Sequence, residues 1–517
     1  MAGSEPSAVK QGLTLPEPAL DDNRSHEKRL RDTLGLFYSD PVILPLETTR
    51  KLPGLLENGG FDLDTVLVNG PCGWHVADVA QSGKINGVYG LAIDLGSTSV
   101  VFYLVNLETG KIIQTISREN PQRQHGEDIL DRIMFAGRGG LDILQREALD
   151  LINSAIQELT ADPGLNPESI YYCTVAGNTT MCHFLLALDP SHICKEPYIP
   201  AVNSFDLVRP EELGINMHPQ GFIYVLPNVG SYFGGDLLAG ILSSGMFHKE
   251  EISILVDVGT NAEVVLGNRD WLVACAGAAG PALEGGILSC GMRAQEGAIE
   301  RIEISPEDLS VKYKTIGDSP ARGLCGSAII DLLAEMFRAG LVDQTGKLMV
   351  QRDPQRMRQI QDEWAYVVAD ESETATGKPV YITQSDIKNL IRSKGAMYTI
   401  LNVVIQSVGL TFDDIDNFFV AGAFGNYIDP KKAITIGMLP DIPLEKFKGL
   451  GNSAGMGAVK VLLDRNSRKE LQEICERITY LEMNVRGDFM NQLTGALFLP
   501  HTDLSRFPSV KERLGLE

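Results

Sequence analysis

"LAIDLGSTSVVFYLVN", residues 91–106, sets a charged Asp94 inside an apolar run and follows it with Gly96, Ser97 and Thr98 before a β-branched and aromatic run resumes. Two such runs joined by a glycine-bearing turn predict a β-hairpin. The turn can point several backbone N–H groups and a hydroxyl at one spot, which makes an anion cradle. A carboxylate at its rim suits a divalent cation accompanying a phosphate, because Mg²⁺ prefers oxygen ligands and keeps most of its waters.

A second stretch, "ILVDVGTNAEVVLG" at 254–267, repeats the plan with Asp257, Gly259, Thr260 and Asn261. One D-x-G-[ST] alone is an ordinary turn after a strand. Two copies in equivalent strand contexts point to a duplicated site that grips a polyphosphate from both sides. Between and beyond them the chain alternates. "GGLDILQREALDLINSAIQELT" (139–160) has helical spacing, whereas "SIYYCTVAGNTTMCHFLLAL" (169–188) and "GFIYVLPNVGSYFGGDLLAGIL" (221–242) each read as strand, glycine turn and helix. The second half adds "ARGLCGSAIIDLLAEMFRAGLVD", a helix near 385–408, and the strand and glycine turn of "IDNFFVAGAFGNYIDP". Alternating strands and helices in two similar halves predict an α/β fold with mixed or parallel sheets. Ligands of such folds bind outside the strand ends, so a nucleotide cleft between the halves is expected.

The boundaries follow from composition. Residues 1–30, rich in Pro, Ser and charge, predict a flexible lead or linker. Residues 31–88 form a small N-terminal segment, 89–250 a first subdomain, 251–465 a second, and 466–517 a C-terminal segment packing back on the core. At 517 residues and 44% hydrophobic, the chain can bury a core large enough for two or more domains. No window holds the roughly 18 apolar residues of a membrane span, and the start lacks the apolar core of a signal peptide. A cytoplasmic protein without a membrane role is expected. The formal charge of −22 argues against nucleic-acid binding, which needs a basic surface. The eight cysteines form no C-x-x-C and no ferredoxin-like grouping, so reduced core thiols and no iron–sulfur cluster in this chain are expected.

The paired hairpins resemble those of the actin-like ATPase superfamily, which joins acetate and sugar kinases, seventy-kilodalton chaperones and actin on a ribonuclease H-like fold. "VAGAFGN", Val420–Asn426, is similar to that superfamily's adenosine motif. Seven ordered stretches carry a closer resemblance: "LPEPALDDNRSHEKRL", "YGLAIDLGSTSV", "NPQRQHGEDILDRI", "AGNTTM", "ACAGAAGPALEGG", "GLCGSAIIDLLAEM" and "FVAGAFGNYIDP". Together they resemble the ATP-dependent reductive activators of corrinoid proteins, in which ATP supports the return of inactive Co(II) corrinoid to Co(I). The resemblance implies ATP and Mg²⁺ as cofactors and a corrinoid protein of a methyltransferase system as partner. Members of that family usually carry an iron–sulfur domain. Its absence here implies a separate electron donor, a ferredoxin-like protein or a reductase. A homodimer stays open.

On that basis Asp94 and Asp257 are the expected anchors of a hydrated Mg²⁺ and, with Asp236, the expected catalytic carboxylates. Asp236 would position Mg²⁺ or the attacking water, with a helix N-cap as the alternative. Gly96, Ser97, Thr98, Gly259, Thr260 and Asn261 would serve phosphate oxygens. Gly422, Ala423, Phe424 and Gly425 would let the backbone approach adenosine, though Phe424 could equally belong to the core. Glu284 would contact ribose or order water unless it is a solvated loop acid. Gly326 and Ser327 open a helix and would bind an anion or ribose, or would serve tight packing. His125, Glu127, Asp128 and Arg132 read as a solvated helix start or a partner-facing surface. Two other functions compete with activation: a small-molecule kinase of the same superfamily, and a nucleotide-gated scaffold without turnover.

Overall fold

The computed structural model describes residues 5–231, 233–259, 262–277, 288–422, 428–481 and 489–516. The chain forms two units, Met1–Ser243 with Ser453–Glu476, and Ser244–Asn452 with Arg477–Glu517.

The first unit opens with a four-stranded sheet of β1 (Ala8–Thr14), β2 (Val42–Ile43), β3 (Asp62–Gly70) and β4 (Gly73–Gln81), in the order β1-β3-β4-β2. Helices His26–Leu34 and Leu46–Gly59 accompany it, and Leu13, Leu30, Leu52, Leu67 and Trp74 share its core. Within the stretch expected to be a flexible lead, residues 5–30 therefore hold a strand and a helix start. β1 pairs antiparallel with β3, and the buried Ser7 donates from N and Oγ to the carbonyls of Leu462 and Val461. The buried Arg29 holds the following loop through the Asp22 carboxylate at 2.6 Å and the carbonyl of Pro16. Overall polarity hides this strand, because an edge strand needs few inward apolar residues, here Val9 and Leu13.

The larger sheet of this unit contains β5 (Tyr89–Leu95), β6 (Ser99–Asn106), β7 (Lys111–Glu119), β8 (Ile170–Gly177) and β9 (Phe222–Val225), in the order β7-β6-β5-β8-β9. β6 pairs antiparallel with both β5 and β7, while β5, β8 and β9 are parallel. Helix Leu141–Leu159 contributes Leu144, Ala148, Ile152 and Ile156 to the core around β5, β6 and β8. Helix Ser453–Leu463 packs on β5 and β8, and the Thr174 hydroxyl of β8 donates to the Ala458 carbonyl at 2.9 Å. That helix returns from far along the chain, so the first unit includes residues that the sequence reading assigned to the second subdomain and tail.

The second unit repeats the order with β10 (Ser253–Val258), β11 (Ala262–Gly267) and β12 (Leu272–Gly277). Two small sheets follow, formed by β13 (Ala298–Ile304), β14 (Val311–Thr315) and β15 (Gly323–Leu324), then β16 (Met357–Ile360), β17 (Glu363–Ala369) and β18 (Val380–Thr383). β19 (Asn417–Ala421), β20 (Phe447–Gly451) and β21 (Ile478–Tyr480) complete the main sheet, ordered β20-β19-β10-β11-β12-β21. Here β10, β19 and β20 are parallel, as β5, β8 and β9 are in the first unit. Helix Gln384–Ser407 receives the C-terminal segment. Helix Phe489–Ala496 packs along it, and the buried Lys394 ammonium donates to the carbonyls of Phe498 and Pro500. Burial without a carboxylate pulls the Lys394 pKa well below its ordinary value.

Candidate functional site

Asp94 is the penultimate residue of β5, opposite Val101 on β6 and beside Ala176 on β8. Buried Ile93 and Leu95 flank it and leave its side chain half-buried at the strand end. The turn that follows needs a glycine, because a Cβ on Gly96 would lie 2.4 Å from the Ser99 carbonyl oxygen. All three turn carbonyls are engaged. The Asn120 amide side chain donates to Gly96 at 2.9 Å, Arg132 Nη1 donates to Ser97 at 2.7 Å, and the Asn120 backbone donates to Thr98 at 3.0 Å.

The stretch 120–133 is therefore not a solvated helix start throughout. Asn120, Gln122 and Arg132 are buried, whereas Glu127 and Asp128 face solvent. His125 is taken up locally, paired with Glu147 at 2.8 Å and stacked on Phe135. Composition marks the stretch as polar, and its inward-turned donors become visible only when the first hairpin is set beside it.

β8 ends beside β5, and helix Thr179–Leu185 starts at once with Asn178 as its N-cap, accepting from the Met181 N–H at 2.9 Å. Close against this corner lies the start of helix Gly235–Ser244: a Cβ on Gly234 would fall 2.2 Å from Asn178 Cα and 2.7 Å from Asp236 Oδ1. Asp94, the Gly96–Thr98 turn and Asp236 thus gather around the C-terminal ends of parallel strands β5 and β8. Asp236 Oδ1 accepts from the Leu237 N–H at 2.8 Å, and desolvation nevertheless pushes its carboxyl up to about 6. A carboxylate poised near neutrality can exchange a proton with water.

In the second unit Asp257 occupies the same penultimate position on β10, half-buried, opposite Glu263 on β11 and beside Ala421 on β19. Gly422 follows β19 with φ +79°, and a Cβ there would stand 2.9 Å from Asp257 Oδ1. The start of the "VAGAFGN" motif is thereby brought onto the carboxylate. Thr260, Asn261, Glu284, Ala423, Phe424 and Gly425 lie outside the described residues. Gly326 opens helix Gly326–Arg338, but the buried Ser327 hydroxyl donates to the Glu300 carbonyl at 3.1 Å. That serine is engaged in packing, which leaves Gly326 as a backbone candidate. No described contact joins this helix start to Asp257.

Glu263 escaped the sequence reading. Directly opposed residues of an antiparallel pair share a sheet face, so Asp257 and Glu263 present two half-buried carboxylates side by side. This hard-oxygen set fits Mg²⁺, which takes one or two carboxylates and otherwise keeps water and phosphate ligands. Its signal was the glutamate within "NAEVVLG", where an apolar or β-branched residue would be usual. Among the described residues no cluster of three or more His, Cys, Asp or Glu side chains could hold a metal. The eight cysteines are free thiols, and Cys173, Cys182, Cys275 and Cys325 are buried. Desolvation pushes Cys275 and Cys475 up to about 12. No helix among the described residues is long and apolar enough to cross a membrane.

Comparison with known proteins places this architecture. Three family descriptions match in order: the RACo linker region over 4–84, the RACo middle region over 89–249, and the C-terminal domain of RACo, the ASKHA domain, over 251–511. The chain is 31% identical over 441 residues to the corrinoid activation enzyme RamQ of Eubacterium limosum, covering 83% of this chain and 73% of that protein. It is 25% identical over 438 residues to the [Co(II) methylated amine-specific corrinoid protein] reductase of Methanosarcina barkeri, covering 78% and 76%. Among solved structures, a reductive activator for corrinoid, iron–sulfur protein matches with a TM-score of 0.91 at 41% identity, covering 98% of this chain and 81% of that one. With a duplicated actin-like core and all three regions in sequence, the chain belongs to the RACo family of corrinoid reductive activators.

Proposed function

We propose that this chain is an ATP-dependent activator that promotes reduction of inactive Co(II) corrinoid to Co(I) in a corrinoid protein of a methyltransferase system, with electrons from a separate low-potential donor. The observation that carries this reading is the succession of linker, middle and ASKHA regions along nearly the whole chain, on a backbone that matches a corrinoid activator at a TM-score of 0.91. In this reading the Asp94 and Asp257 hairpins serve the phosphates of ATP, with their N–H groups facing oxygens on which charge develops. Asp94 and, on its own sheet, the Asp257–Glu263 pair are each carboxylates suited to a hydrated Mg²⁺, which when bound would neutralise charge on the phosphoryl oxygens. Asp236 orients the attacking water and accepts its proton. Gly422 lets the backbone approach the adenosine side of the nucleotide.

The activator can shift the cobalt potential only as far as its complex favours one oxidation state. For one electron, each tenfold difference in affinity moves the potential by about 59 mV. By linkage, the corrinoid protein must change nucleotide affinity by the same factor that the nucleotide changes its binding.

The test is an anaerobic absorption spectrum of a corrinoid protein encoded beside this gene. Co(II) absorption is expected to give way to Co(I) when activator, Mg²⁺–ATP and a low-potential reductant are all present. Equal reduction without ATP would remove the assignment. ADP formation that depends instead on a sugar or carboxylic acid acceptor would favour a kinase.

A further inference from the structure

Arg132 has a buried guanidinium that makes no ion pair among the described residues. Its nitrogens donate to backbone carbonyls: Nε to Gly126 at 2.9 Å, Nη1 to Ser97 at 2.7 Å and Nη2 to Glu127 at 3.4 Å. Desolvation lowers its pKa, with Arg123 acting in the same direction and Glu127 and Asp128 opposing, yet arginine stays protonated in proteins. A neutral donor could satisfy one carbonyl without burying a charge, so the choice of a cation behind this turn asks for a reason.

The hydrogen-bond pattern supplies one. In a trans peptide the C=O and the following N–H point in opposite directions across one rigid plane. The carbonyls of Gly96, Ser97 and Thr98 all point into the Asn120–Arg132 layer. The N–H groups of Ser97, Thr98 and Ser99 are consequently aimed away from it, and successive N–H groups held on one side of a turn form an anion-binding nest. Asn120 is itself held, since its Oδ1 accepts from the Gln122 N–H at 3.0 Å while Gln122 Nε2 donates to the Leu144 carbonyl at 2.8 Å. The layer is thus anchored to helix Leu141–Leu159.

We propose that Arg132 and Asn120 are positioning residues of the first phosphate turn, fixing its three carbonyls so that its N–H groups face bound phosphate, with the Arg132 charge adding a positive field behind them. The proposal rests on the reading of that turn as a phosphate site.

The test is calorimetric binding of Mg²⁺–ATP and of adenosine to the full chain and to Arg132→Lys, Arg132→Met and Asn120→Ala. Removing a charge-assisted contact of this kind predicts about tenfold weaker ATP binding in Arg132→Met, with adenosine binding within about twofold of wild type and partial recovery in Arg132→Lys. Asn120→Ala should weaken ATP severalfold with the same selectivity, and it carries the test should Arg132→Met fail to fold. Equal losses for ATP and adenosine, or unchanged ATP affinity in a folded variant, would overturn the positioning role. A wild-type chain that binds no ATP would instead overturn the reading of the site.

Discussion

Asp94 and Asp257 occupy matching places, each one residue before a strand end and each flanked by buried apolar neighbours. Partial exposure makes either replaceable without loss of the core. Asp94→Asn or Asp257→Asn should keep the melting temperature near wild type and lower ATP hydrolysis by about 10²–10³-fold, the usual cost of one stabilising group in a preorganised site. Wild-type turnover in both would remove them from the chemistry. Asp236 predicts a pH dependence. Its folded pKa of about 6 exceeds the ordinary 3.8, so the folded state binds the proton more tightly and its contribution to stability falls as pH rises through that interval. Asp236→Asn should flatten that decline in a series of melts. As the group that orients water, ionised Asp236 should make hydrolysis rise through about pH 6, and the Asn variant should lose about 10²–10⁴-fold and that pH step together. Asp94, Gly96 and Asp257 stood out because their spacing recurs, and Gly422 because its motif resembles one of a known superfamily. Glu263 and the inward role of Arg132 did not, because a carboxylate in a strand and an arginine among acidic residues at a helix start resemble surface residues until their partners are known.

At the scale of elements, two contacts set the fit of helices. A Cβ on Gly457 would lie 2.2 Å from the Ala239 carbonyl oxygen, so helix Ser453–Leu463 approaches helix Gly235–Ser244 backbone to backbone. Gly457→Ala gains helix propensity but forces the two apart. A net loss of about 1–3 kcal/mol is expected, read by denaturant unfolding. In the second unit His501 packs near Tyr398 and Phe507, where desolvation, with Arg506 and Lys394 adding to it, holds its pKa down to about 4. A histidine kept neutral in the fold but protonated at an ordinary 6.5 when unfolded costs stability as pH falls between those values. His501→Gln should remove that part of the acid sensitivity, with unfolding midpoints at pH 7 and pH 5 as the measure. The strands of the two hairpins, the strands beside them that end in glycine turns, and the long helices were readable from periodicity, whereas the short strands β13–β18, β20 and β21 were not read. β1 was not, because a short edge strand carries too few apolar residues to outweigh prolines and charges around it.

For the whole molecule, the telling feature is the return of Ser453–Glu476 to the first unit. A chain ending at Ser243 would leave uncovered the face of β5 and β8 that helix Ser453–Leu463 occupies, with Val461 and Leu462 absent from the core. Such a fragment should bind a hydrophobic dye and unfold without a cooperative transition. Appending residues 453–476 through a flexible linker should restore a sigmoidal melt. Cooperative unfolding of the shorter fragment would show that the returning helix is dispensable.

The duplication was visible in the sequence itself, because each half must end a buried strand with a carboxylate and turn on a glycine, and those constraints are local. The matching orders β7-β6-β5-β8-β9 and β12-β11-β10-β19-β20 follow the same repeated alternation of strands and helices. Tertiary structure alone decided which distant segment covers a sheet face, which carbonyls Arg132 takes, and that Glu263 stands beside Asp257. Such choices depend on burial and register between residues far apart in sequence, and hydrophobic pattern specifies that a face must be covered without naming the segment that covers it.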